Sequence, residues 1–213
     1  MPGRQAKILS QQQAAVLLAY ASTTRYPARN RLVILLSVNA GLRAGEIAGL
    51  TWDMVVDATG EIAAVIEVRD CVAKKGSGRV IPMHSDLRSA LAEWGKMAGT
   101  NGPVVRSERG GPMAPVSIVN WFAAAYRAAG LEGCSSHSGR RTFITRAARL
   151  VHQAGGSLRD VQLLAGHRSM QTTQRYIEGD SDAQRRLVAL IWGQHRWHIL
   201  RKVNNPWRPS IAP

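Results

Sequence analysis

Cysteine is nearly absent from the 213-residue chain. Cys71 and Cys134 are the only two, too few for a disulfide framework, and free thiols are expected. No stretch of about 18 apolar, uncharged residues occurs, so no transmembrane helix and no membrane partner are expected. Residues 1–10 carry basic side chains with no apolar run behind them, so a secretory signal is not expected either. The compartment these features fit is a reducing cytoplasm. No internal repeat and no low-complexity tract breaks the chain. Lysine is scarce: five of the 28 basic residues are Lys (positions 7, 74, 75, 96 and 202), and the rest are Arg.

What is present is an apolar core and a strong positive charge. Hydrophobic residues make up 45% of the chain and aromatics only 6%. That apolar fraction excludes a disordered basic tail, and the length suits one domain with at most a small appendage. The formal net charge is +14. It is uneven, because residues 140–213 hold 13 basic and 4 acidic side chains. A guanidinium presents a planar fork that suits phosphate oxygens. A polyanion, foremost nucleic acid, is therefore the expected partner.

Periodicity outlines a mainly helical chain. Ser10 is a candidate N-cap for a helix beginning QQQAAVLLAYA. Residues 31–39 are strongly apolar and read as a buried helix, with a strand as the alternative for so short a run. Gly41 ends that segment, and residues 43–50 read as a short helix. Residues 54–83 change character: Asp57–Gly60 is a turn, EIAAVIEV is β-branched, and Gly76-Ser77-Gly78 separates two strand-like arms. They read as a small antiparallel sheet with Lys74, Lys75 and Arg79 at a basic hairpin tip. Helices are expected to open at Ser85, near Val116 and, after a Ser135 or Ser136 cap, from His137 to about Gln153. A short helix at 158–164 ends at Gly166, another runs from 169 to 177, and Ser181 opens a last one with Leu187, Leu190 and Ile191 on one face. Residues 193–213 form a basic tail containing Trp197 and Trp207.

Four segments carry residues suited to chemistry. In GLRAGEIAGL (41–50), Arg43 stands at a helix start, where backbone donors favour anions, and Glu46 lies one turn on. A surface ion pair between the two explains them equally well. The lysines at the hairpin tip can reach a phosphate or serve as ordinary edge charges. His137 and Arg140, three residues apart, share one helical face, while Ile144, Ala147, Ala148 and Val151 mark the buried side. In LLAGHRSMQTTQRY (163–176), Gly166 stops a helix, His167 sits in the turn and Tyr176 lies on the next helix. That tyrosine is either a packed ring or, among Arg and His, a nucleophile.

In their order, Arg43, Lys74, His137-x-x-Arg140, Leu164-Ala-Gly-His167 and Tyr176, nine residues beyond His167, resemble the motif set of the tyrosine recombinase (phage integrase) family over residues 9–179. The family's spacing to Pro82 favours Lys74 over Lys75. The resemblance implies an α+β, mainly α-helical fold, the tyrosine-recombinase catalytic domain with a small antiparallel sheet near residues 54–83. It spans residues 1–192 in this reading and resembles small fimbrial-switch-type invertases, with no N-terminal core-binding domain expected. It also implies site-specific DNA recombination, by strand cleavage and rejoining through a 3′-phosphotyrosine, with no cofactor and no metal. Arg43 and Arg140 would stabilise the phosphorane charge and Tyr176 would attack. His137 would act as base and Lys74 as general acid. His167 would bond a phosphate oxygen, and Glu46 would order the pocket. The implied partners are double-stranded DNA, three further copies in a homotetramer on paired sites, with Ser181–Trp192 docking between subunits or folding back on its own domain, and accessory DNA-bending proteins at the nucleoid. Charge alone implies non-specific binding with a dissociation constant on the order of 10⁻⁴–10⁻⁶ M. A type IB topoisomerase-like enzyme and a catalytically silent DNA-binding regulator are the alternatives.

Overall fold

In a computed structural model, residues 6–176 and Val188 are described. Apart from Val188, the helix expected from Ser181 to Trp192 and the tail at 193–213 lie outside the described residues. Among the described residues eight α-helices accompany one two-stranded sheet: α1 (Gln11–Ser22), α2 (Pro27–Asn39), α3 (Ala44–Gly49), α4 (Ser85–Ala98), α5 (Pro115–Ala128), α6 (Ser138–Leu150), α7 (Leu158–Ala165) and α8 (Met170–Gln174). The strands are β1 (Val65–Val68) and β2 (Arg79–Pro82). No described helix is long and apolar enough to cross a membrane.

Local chemistry accounts for the helix starts. Ser10 caps α1 by accepting the Gln13 N–H, and the Gln13 side chain accepts the Ser10 N–H in return, a reciprocal box that satisfies two orphan donors. Pro27 opens α2 at a position where a missing N–H costs nothing. This helix is the centre of the fold. Leu32 to Ser37 are all buried, and α2 packs against α1, α4 and α6. A helix apolar all round belongs inside a core, so the ambiguous run at 31–39 resolves as helix rather than strand.

The α2–α3 connection is tight. Gly41 has φ +63°, and a Cβ there would lie 2.5 Å from Phe143 Cδ1, so only glycine fits. The Leu42 N–H turns back to Leu36 O at 3.1 Å. At the α2–α6 crossing, Gly139 lets the two backbones approach. A Cβ on it would overlap Ser37 Oγ and sit 2.9 Å from Ser37 Cβ.

The sheet is antiparallel, with Val65 opposite Pro82 and Val68 opposite Arg79. The expected 54–83 sheet is thus realised by its second half. The Asp57–Gly60 turn contributes only the isolated bridge between Val56 and Ile62. Two boundaries also differ from expectation. The helix expected to reach Gln153 ends at Leu150, because Gly155 takes φ +73° and the Gly156 N–H folds back to Val151 O. The helix expected at 169–177 is only α8, and the Tyr176 N–H bonds three residues back to Thr173 O, a tightened final turn. Tyr176 therefore lies just past a helix rather than on one. The main core draws on α1–α5 and the sheet, while Ile144, Ala148, Val151, Val161 and Ala165 form a smaller cluster under α6 and α7.

Candidate active site

Five of the residues singled out in the sequence meet in one cleft of about 430 Å³: Arg43, His137, Arg140, His167 and Tyr176. Its wall also carries Arg141 and Arg175, and among the described residues no carboxylate lines it. Among the described residues no three His, Cys, Asp or Glu side chains cluster as metal ligands.

Arg43 precedes α3 in extended backbone. Its N–H donates to Glu46 Oε2 at 2.9 Å and its Nη1 to Oε1 at 2.6 Å. The pair is no surface bridge, since the Glu46 side chain is 1% exposed. A second guanidinium reaches the same carboxylate from the other side. Arg79 Nη1 and Nη2 bond Oε1 and Oε2, each at 3.0 Å. Glu46 thereby accepts four hydrogen bonds, the full capacity of a carboxylate. Burial by itself would raise its pKa, but the bonds and charge of Arg79, then those of Arg43, hold it down at about 2.

Arg79 departs from expectation. It is not part of a solvated tip: it is the first residue of β2, its side chain is 4% exposed, and its Nε donates to Leu164 O at 2.9 Å. The period-two alternation of a strand puts Arg79 on the same face as buried Ile81, and this signal was available in R-V-I-P. Lys74 and Lys75 do lie exposed in the 69–78 connection. Lys74 is not on the cleft wall, and among the described residues neither lysine pairs with a carboxylate.

Arg140 projects from the first turn of α6 and is 4% exposed. Its Nη1 donates to Gly41 O at 2.7 Å and its Nη2 to Ala165 O at 2.6 Å. Among the described residues no carboxylate pairs with it. Burial and the charge of Arg43 lower its pKa to about 10, against the opposing pull of Glu46. The site thus holds three guanidiniums, Arg43, Arg79 and Arg140, about one carboxylate, and its local charge is positive.

Gly166 adopts the left-handed conformation that ends α7 and delivers His167. Gln162 Nε2 holds His167 O at 2.8 Å, and His167 Nδ1 lies 3.0 Å from the hydroxyl of fully buried Thr173. Burial, then the charges of Arg140, Arg43 and Arg79, lower the imidazole pKa to about 4, so the ring is neutral at neutral pH with one N–H to donate. Its face stacks on Tyr176 with centroids 5.5 Å apart. Thr145 Oγ1 donates to Tyr176 O at 3.5 Å. His137, at the N-cap of α6, is exposed. Arg79 and Thr173 are the functional candidates that motif reasoning passed over.

The chain resembles several known proteins. It is 30% identical over 177 residues to a tyrosine recombinase XerC of Xylella fastidiosa (strain M23), covering 82% of this chain and 56% of the relative. It is 33% identical over 159 residues to a tyrosine recombinase XerC of Methylobacterium sp. (strain 4-46), covering 72% and 47%. The chain thus spans about half the length of the curated relatives it matches. The crystal structure of XerA recombinase superposes with a TM-score of 0.69 at 25% identity, over 92% of this chain and 67% of that one. A lambda integrase dimer bound to a COC′ core site shares the fold, with a TM-score of 0.66 at 22% identity over 83% of this chain and 49% of that one. The model of the phage integrase family matches residues 7–182, and the chain belongs to that family.

Proposed function

We propose that this protein is a tyrosine site-specific recombinase that cuts and rejoins double-stranded DNA through a 3′-phosphotyrosine ester. One observation carries the reading: Tyr176, stacked on a neutral His167, opens onto a cleft lined, among the described residues, by four arginines and no carboxylate. A phosphodiester under attack gathers charge on its non-bridging oxygens, and preorganised cations in a partly dry cleft stabilise that charge. The names of the relatives and the DNA bound to the lambda integrase dimer support the same substrate.

In this mechanism the Tyr176 oxygen attacks phosphorus, the P–O5′ bond breaks, and the 3′-phosphate stays on the tyrosine. The phenol proton passes to His137 at the mouth of the cleft, and Lys74 protonates the departing 5′ oxygen. Exposed in the 69–78 connection, Lys74 would reach that oxygen once DNA draws the segment over the cleft. Arg43 and Arg140 hold the non-bridging oxygens, and the single N–H of neutral His167 bonds one of them. The ester conserves the energy of the broken bond, so rejoining by a 5′ hydroxyl needs no nucleotide. Residues 1–192 act as the catalytic domain and 193–213 as a basic tail. The working unit at the nucleoid is a tetramer of this chain on two DNA sites, with accessory bending proteins where the sites require them.

The test is covalent capture on a pool of nicked DNA duplexes of randomised sequence, with adducts resolved in denaturing gels. Wild type is expected to form an adduct, and Tyr176→Phe to bind DNA without forming one. An adduct with the phenylalanine variant overturns the assignment. Lys74→Ala is expected to slow cleavage far more than Lys75→Ala, and the reverse order moves the general acid to Lys75.

A further inference from the structure

We infer that Arg79 is a positioning residue of this site, a buried tie-rod that sets Arg43 and the His167 turn in one frame. The inference rests on the proposed cleavage chemistry and adds a residue to it.

Three facts bear on it. Arg79 spends all three guanidinium nitrogens on partners in two separate elements: both Nη atoms on Glu46 in α3, and Nε on Leu164 O at the end of α7. Its contact with the His167 turn is close: a Cβ on Gly166 would fall 3.0 Å from Arg79 Cδ and 3.1 Å from Nη1. The next carbonyl of the same helix end, Ala165 O, is taken by Arg140. The C-terminal carbonyls of α7 are thus capped by two guanidiniums side by side, where positive charge suits the helix dipole. One of them faces the cleft, while the other lies behind it.

The chemistry explains why arginine is needed there. A lysine ammonium is a point charge on one nitrogen and cannot grip both carboxylate oxygens and a carbonyl as the planar fork of Arg79 does. With Arg79 present, Glu46 is saturated, its orientation is fixed, and Arg43 is aimed by its two bonds to it. Without Arg79, Glu46 retains only the Arg43 bonds and is free to rotate with that side chain, and the His167 turn loses one of its two caps. A shift of about 1 Å in a group that must meet a transition state costs on the order of 10²-fold in rate.

The test uses the full chain and duplexes enriched from the randomised pool by wild-type capture. Arg79→Met is expected to bind DNA with little change and to cleave on the order of 10²-fold more slowly in single turnover. Arg79→Lys, which keeps the charge but not the fork, should recover part of that loss. A pH profile separates positioning from mere support. The groups facing Glu46 are Arg43 and Arg79, with Arg140, His167 and Tyr176 beyond them. Removing Arg79 raises the Glu46 pKa, so the cleavage rate of Arg79→Met should begin to fall at a higher pH on its acid side than that of wild type. If Arg79→Met folds poorly, the pair Arg79→Met with Glu46→Leu replaces that buried ion pair by apolar side chains and restores stability. It should still cleave as slowly as the single variant. Wild-type cleavage with an unshifted pH profile in folded Arg79→Met, or a wild-type cleavage rate in the stable double variant, overturns the inference and leaves the recombinase reading standing. A wild-type chain that captures no duplex overturns both.

Discussion

Glu46→Gln is the perturbation whose size the structure fixes best. The glutamine is nearly isosteric, so no cavity forms. What changes is the charge at the centre of Arg43, Arg79 and Arg140, of which Arg79 and Arg140 are 4% exposed. The Glu46 pKa of about 2 against an ordinary value of 4.5 gives about 3 kcal/mol of stability at neutral pH, at roughly 1.4 kcal/mol per unit. Removing one partner of a buried ion pair costs about 3–5 kcal/mol by an independent rule, and the two figures agree. Because the folded pKa lies below the unfolded one, the contribution is complete above pH 4.5 and is lost as pH falls towards 2. The stability gap between wild type and Glu46→Gln should therefore be about 3 kcal/mol at pH 7 and about 1 kcal/mol at pH 3. In melting temperature the neutral-pH gap is about 6–12 °C for a domain of this size. Urea unfolding at a series of pH values measures it directly. A gap below about 1 kcal/mol at pH 7, or one that does not shrink with acid, refutes the account of Glu46 as the counter-charge of the cluster.

Further expectations follow from neighbouring features. Gly139→Ala forces a methyl into Ser37 at the α2–α6 crossing and should lower stability by about 1–3 kcal/mol in thermal unfolding; an unchanged melting temperature contradicts the close approach. The His167 imidazole should titrate near pH 4 in carbon-13 NMR. Its folded pKa lies below the unfolded value, so it too withdraws stability as pH falls from about 6.5 to 4, and a midpoint above 6 would place the ring in water. Thr173→Val deletes the hydroxyl at His167 Nδ1 and frees the tautomer; the nitrogen-15 shifts of the ring should show a mixture, with adduct formation slowed, whereas unchanged shifts refute tautomer control by Thr173.

Much of this molecule is legible in its sequence, for identifiable reasons. Ser10 with Gln13, Pro27 before an apolar run, and Gly166 after one are local signals, and each produced the element it announces. The convergence of Arg43, His137, Arg140, His167 and Tyr176 followed from motif order, because a family motif encodes distances that a single chain does not display. The misjudged features depend on tertiary context. Arg79 looks like a solvated edge charge until Glu46 and Leu164 O close over it. The ends of α6 and the last turn before Tyr176 are set by backbone bonds that compete with helix continuation. Thr173 carries no pattern of its own, and its role exists only because α8 folds it under His167.

The two unequal cores have a consequence for how the site comes into being. Arg43 and Glu46 belong to elements anchored in the large cluster, whereas α6 and α7 lie over five buried side chains. Opening of such a small unit takes less free energy than global unfolding, so formation of the complete cleft is an equilibrium of its own, distinct from folding. Among the described residues five polar stitches cross that seam: Arg140 to Gly41 O, Arg79 to Leu164 O, the Leu9 N–H to Thr142 Oγ1, Arg141 to Ala6 O and Arg146 to Leu9 O. A phosphate gripped by Arg43 on one side and by Arg140 and His167 on the other adds another stitch of the same kind. By mass action it draws the open population into the closed one, and the backbone being cut thereby helps to assemble the machine that cuts it.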